Sequence, residues 1–205
     1  MADEKPKLKA AKTALLILEL QNDVFAEDGA FADSGAPAHA EKQRLLDNVK
    51  QLSAAMRGAG AAIVHVHYVV EPGAHGLKLN APLFRAVAEK SALVRGSWGA
   101  APLQGFEPQD GDFVVEKMRM NAFCGTRLDT LLQGCGIETV VITGGWTNFS
   151  VEHTARHAAD AGYEVVVATD GTATIDEEWQ NAALNYALQN VAARLACSEI
   201  AAALS

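Results

Sequence analysis

The sequence predicts a three-layer αβα fold of the α/β class, a single domain built on a doubly wound, mostly parallel sheet with helices on both faces. Three observations predict it. Short apolar runs recur along the chain, several apolar nearly throughout, as strands covered on both faces should be. Stretches with apolar residues at helical spacing separate those runs. A length of 205 residues supports one sizeable core and is short for two.

Residues 1–11, polar and lysine-rich, read as a flexible arm ahead of a domain spanning 12–205. The first strand is 13–18. A helix follows over 38–57, where Leu45, Val49, Leu52 and Met56 form an apolar stripe and Gly58 and Gly60 stop it. The second strand is 62–69. Before the third strand, 112–116, lies a loop that carries Trp98 framed by glycines. Thr126 and Asp129 resemble a capping box, with Leu128, Leu131 and Leu132 facing inward and Gly134 closing the helix. The fourth strand, 139–143, leads to a helix over 148–161 with Asn148 as N-cap and Gly162 as terminator. A fifth strand at 164–168 precedes a helix starting near Thr174, whose spacing to Glu177 repeats the capping pattern. A short strand near 194–198 and a terminal helix complete the chain.

Composition narrows the function. The chain is 49% hydrophobic and 20% charged, an ordinary globular profile, and its net charge of −8 argues against nucleic acid or an anionic membrane as partner. No apolar run approaches the roughly 20 residues that span a bilayer, and the N-terminus lacks a signal-peptide h-region. Cys124, Cys135 and Cys197, odd in number and without CxxC spacing, fit reduced thiols of a cytoplasmic protein. A small molecule is the expected partner.

In parallel sheets, ligands bind beyond the carboxyl ends of the strands. The first strand ends in Glu19-Leu-Gln-Asn-Asp-Val-Phe25, the third in Glu116-Lys117-Met-Arg119, and the fourth in a Thr143-Gly-Gly-Trp-Thr-Asn-Phe-Ser150 run. These ends offer a carboxylate, an ammonium and a hydroxyl. Ser150 falls in the first turn of a helix, where the dipole and free N–H groups favour negative charge.

These motifs, with Asn121-Ala-Phe, Gly-Thr126-x-Leu and the Val-Glu-x-Thr-Ala-Arg156 continuation, resemble the isochorismatase-like superfamily from about residue 12 to about 200. The resemblance implies a six-stranded sheet, a homodimer or homotetramer, and hydrolysis of amide, ureido or related C–N bonds by an Asp–Lys–Cys triad. It further implies a non-proline cis peptide at Gly145–Trp146 and an oxyanion hole built from the backbone N–H groups of Trp146 and Ser150. No cofactor is implied. The sequence departs from the pattern twice: Glu19 replaces the aspartate, and Ser150 the nucleophilic cysteine.

The carboxylate keeps its chemistry; the hydroxyl does not, since it must lose its proton as it attacks. Ser150 reads as a native nucleophile served by Glu19 and Lys117, as a bystander, or as a replacement of a natural cysteine. The first and third readings make the chain an acyl-enzyme amidohydrolase, the third one trapped by its substitution; the second makes it a vinyl-ether hydrolase with Glu19 as general acid. A non-catalytic binder of small molecules that kept the fold after losing its thiol is a further alternative. Phe25, Trp98, Phe123 and Trp146 are candidate pocket walls, and Arg119 a candidate for a substrate carboxylate. Asp23 is a fallback acid better suited to a turn, and Cys124 a small buried residue. His65 and His67 share one strand face and read as hydrogen-bonded rather than metal-ligating, with no metal expected. His153 and His157 read as helix-surface residues.

Overall fold

The computed structural model describes residues 7–205. Among them, one all-parallel sheet runs in the order β3-β2-β1-β4-β5-β6, with β1 at Thr13–Leu18, β2 at Ala62–Tyr68, β3 at Phe113–Lys117, β4 at Thr139–Gly145, β5 at Glu164–Ala173 and β6 at Ala193–Leu195. The two-residue period of the strands divides their side chains between two cores. Leu15, Ile17, Val141 and Val166 meet the helix stripe of Leu45, Val49, Leu52 and Met56. Leu16, Leu18, Ile142 and Val167 meet Leu128, Leu132, Ala155 and Ala158 on the other face. The layers are therefore those the alternation predicts.

Several boundaries differ. The helix expected over 38–57 is two, α2 (Ala36–Gln43) and α3 (Leu45–Gly58), because Arg44 between them is left-handed at φ 53°. The Asn48 amide fastens this break by donating to Gln43 O at 3.0 Å and Asp170 O at 2.9 Å. The expected cap at Thr174 belongs instead to the end of β5; α7 (Glu177–Ala182) starts later, with Asp176 Oδ1 accepting from the Trp179 amide at 2.9 Å. The capping box before α5 (Leu128–Gly134) is half realised. Thr126 Oγ1 accepts from the Leu128 amide at 3.1 Å, whereas Asp129 turns to the Tyr163 hydroxyl at 2.9 Å. β6 is brief because the chain enters α8 (Cys197–Ala203) at once.

Two short helices escape the sequence pattern, α1 (Asn22–Phe25) and α4 (Pro82–Glu89). Residues 1–6 of the expected arm lie outside the described residues. Within 7–11, Leu8 and Ala10 are buried while Lys7, Lys9 and Ala11 face solvent: Leu8 is 3% exposed, and its amide donates to Ala203 O at 2.9 Å. An apolar residue in that stretch found a place beside α8.

The closest backbone approach joins β1 to β4. Gly144 sits at φ 98°, and a Cβ there would lie 1.9 Å from Leu18 O, so only glycine lets the two strand ends meet. α6 (Glu152–Asp160) follows β4 after a wide turn over Thr147–Val151.

His65 Nε2 donates to the Asp112 carboxylate at 3.1 Å, and Asp112 also accepts two hydrogen bonds from Arg57. His67, on the same strand, is pushed down to about 4 by burial and by His65, with Glu116 pulling the other way. The folded chain therefore binds fewer protons than the unfolded one between about 4 and the unperturbed ~6.5. Stability from this group is complete above ~6.5 and falls as pH drops towards 4, by up to about 3 kcal/mol. Urea denaturation at pH 7 and pH 4.5 should show that loss, and His67→Asn should shrink it. An identical pH slope in the variant would contradict the assignment.

Candidate active site

The site forms where β1 and β4, sequence-distant strands, lie side by side and the chain leaves the sheet in opposite directions. Glu19 follows β1 directly. Its amide still donates to Val66 O at 2.9 Å, and then a left-handed turn at φ 53° swings the chain away. That conformation costs a non-glycine residue about 1–3 kcal/mol, and here it directs a carboxylate into the interior. Glu19 is 6% exposed.

Lys117 ends β3, beside Tyr68 in the β2 register. Its ammonium reaches past the Tyr68 ring, 4.7 Å from the centroid, and stops 2.5 Å from Glu19 Oε1. It also donates to Arg119 O at 2.7 Å, Met120 O at 3.0 Å and Ser150 Oγ at 3.1 Å. An ammonium has three N–H groups. The two carbonyls and Ser150 Oγ take all three, so Glu19 Oε1 pairs with the ammonium by charge and closeness, without a hydrogen bond of its own. The Ser150 O–H hydrogen is left to find its own partner. Burial pushes the Lys117 pKa down, and the Glu19 charge opposes the shift.

Ser150, 3% exposed, lies in the wide turn between β4 and α6. The Gly145–Trp146 peptide ahead of it is cis. Asn148 does not cap this turn as expected; its Oδ1 accepts from the Thr174 hydroxyl. Gly145 lies so near Phe25 that a Cβ would come within 2.4 Å of Phe25 Cζ.

The Gln-Asn-Asp run braces the frame. Gln21 Nε2 donates to Tyr68 O at 2.9 Å and Ala100 O at 2.7 Å, and its Oε1 accepts from the Tyr68 amide at 2.7 Å. Asn22 donates to Trp98 O at 2.8 Å. Asp23 accepts from the amides of Leu93 at 2.6 Å and Ala30 at 3.0 Å, which makes it a loop clamp and not an acid for catalysis.

A narrow cavity opens above Glu19 and Ser150. Phe31, Tyr68, Trp146 and Phe149 are its aromatic walls. Of the five substrate-binding candidates named from sequence, Trp146 lines it and four do not. Phe25 packs behind Gly145, and the Trp98 side chain is 56% exposed. Phe123 stacks on His157 at 4.7 Å in the opposite core. Arg119 lies flat on Phe84, 3.6 Å from the ring centroid. Sequence reasoning missed Phe31, Tyr68, Phe149, Leu83, Val87, Val24 and Leu93. Tyr68 had a signal, since it ends the second strand beside the others; Leu83 and Val87 stand one turn apart on the unexpected α4.

Comparison with known proteins finds related chains and folds. The isochorismatase domain matches residues 13–199. The isochorismatase family protein YwoC of Bacillus subtilis is 31% identical over 85% of both chains. Ureidoacrylate amidohydrolase RutB of Variovorax paradoxus is 33% identical over 80% of this chain and 70% of its own. A cysteine hydrolase from Pseudomonas syringae superposes with TM-score 0.87 over 99% of this chain and 98% of that one, at 19% identity, and shares the fold. N-carbamoylsarcosine amidase of Thermoplasma acidophilum gives TM-score 0.72 at 25% identity, over 91% of this chain and 96% of its own. The fold is that of a class of α/β hydrolases. The chain belongs to the isochorismatase family.

Removing the ammonium alone should be harmful. Lys117→Met leaves a buried carboxylate unpaired and two carbonyls unfilled, a loss of about 3–5 kcal/mol in urea denaturation at neutral pH. Adding Glu19→Gln to that variant should restore part of it. Wild-type stability in the single variant would show that the pair is not held in the folded state.

Proposed function

We propose that the chain hydrolyses a C–N bond of a small molecule through an acyl-enzyme on Ser150. One observation carries this reading: a buried Lys117–Glu19 ion pair touches the Ser150 hydroxyl at the polar end of an otherwise apolar cavity. The names of the related RutB and carbamoylsarcosine amidase proteins support it.

Glu19 takes the Ser150 proton as Oγ attacks the carbonyl carbon. The C–O bond forms, and the carbonyl π electrons move to oxygen. The amides of Trp146 and Ser150 receive that oxyanion, aided by the start of the following helix. Collapse of the intermediate breaks the C–N bond, and Glu19 returns the proton to the leaving nitrogen. Water then attacks the ester with Glu19 as base, releasing the acid and restoring the hydroxyl. Lys117 holds the Glu19 carboxylate in place. Its contact with Oγ strengthens as negative charge grows there, because a charge-assisted hydrogen bond in a dry site is stronger than a neutral one.

We take the protein to work as a homodimer or homotetramer in the cytoplasm. Exposed Trp98, Trp179 and Tyr186 support the first setting, and the free thiols of Cys124, Cys135 and Cys197 the second. No helix among the described residues is long and apolar enough to cross a membrane.

An amide and ureido panel assayed for ammonia or amine release tests the reaction. Ser150→Ala should lower turnover by at least ~1000-fold, and Ser150→Cys should retain it. No release from either the wild type or Ser150→Cys would overturn the proposal.

A further inference from the structure

We infer that the substrate is an uncharged carboxamide with an apolar acyl group, and that amides bearing a carboxylate are excluded. This rests on the amidohydrolase reading above and adds the chemistry of the acyl group. The polar groups of the cavity are few. Glu19 and Ser150 are committed to the reaction end, and the Tyr68 hydroxyl donates to Met118 O at 2.9 Å. Apart from those three residues and the indole N–H of Trp146, a neutral donor, the lining side chains are hydrocarbon, with aliphatic Val24, Leu83, Val87 and Leu93 beside the aromatic walls.

An anionic substrate needs a cation, and among the described residues none lines this cavity. The three nearest candidates are engaged elsewhere. The Lys117 side chain has no exposed surface, and its charge faces Glu19. Arg119 lies on Phe84 and donates to Lys78 O at 3.1 Å and Asn80 Oδ1 at 3.0 Å. Lys90 sits 5.9 Å from the centre of the Phe31 ring but is held by Asp33 at 3.3 Å. A carboxylate entering the cavity would lose its water, gain no cationic partner and meet the charge of Glu19. An apolar acyl group loses nothing of that kind and gains by leaving water. The same lack disfavours isochorismate, a dicarboxylate, and with it vinyl-ether hydrolysis.

Isocaproamide and succinamate test this directly. They match in length and branching, and the isopropyl end of the first is a carboxylate in the second. Ammonia release by the wild type gives kcat/KM, and calorimetric titration of Ser150→Ala gives binding without turnover. Isocaproamide should be favoured by about 100-fold or more in both measurements. Equal or better handling of succinamate overturns the inference, as does failure of the variant to bind either compound. If neither is hydrolysed while binding keeps the preference, the acyl-group inference stands and the amidohydrolase reading falls. Val87→Arg, which puts a cation in the wall, should narrow the preference by at least ~10-fold. An unchanged ratio in folded Val87→Arg protein counts against the inference.

Discussion

A charged pair taken out of water sets the terms for the rest of this molecule. Lys117 and Glu19 come from strands separated by β2, and each is almost wholly enclosed. Neither charge is tolerable in such surroundings alone. The pair therefore needs close geometry and further acceptors, and the chain supplies them as the carbonyls of Arg119 and Met120. That requirement fixes how β3 must end and how the segment after it must turn.

The backbone around the pair is correspondingly tight. The left-handed Glu19, the glycine contact between β4 and Leu18, and the three hydrogen bonds of Gln21 all act within a few residues of one another in space. Gln21 has the widest reach, since one buried amide ties the end of β1 to β2 and to the loop before β3. Strain is tolerated at Glu19 because its neighbours on both sides are hydrogen-bonded in place.

Much of the sheet was legible because burial on both faces writes itself as continuous apolar runs, as in β1 and β4. The strand-end rule then singled out Glu19, Lys117 and Ser150, whose polarity stands out against those runs. Legibility failed where local pattern is silent. The break at Arg44 interrupts a stripe whose apolar spacing barely changes, since the side chains on each side still face the same core. α4 does carry Leu83, Phe84 and Val87 at helical spacing, but no side chain caps its start to mark it. Trp98 and Phe123 looked like pocket walls by their place in sequence, yet loop direction sent one to solvent and the other to the far core. Arg119 looked free because its aromatic partner, Phe84, lies in the helix that the pattern did not reveal.

That overlooked helix also separates two properties usually entangled in enzymes. The reacting groups hang from strand ends that the whole sheet holds rigid. Leu83 and Val87 instead reach the cavity from α4, a brief surface insertion between β2 and β3, and touch it only through hydrocarbon. Descent or laboratory selection could therefore rewrite α4 to retune which molecules are admitted, while the machinery beneath stays as it is.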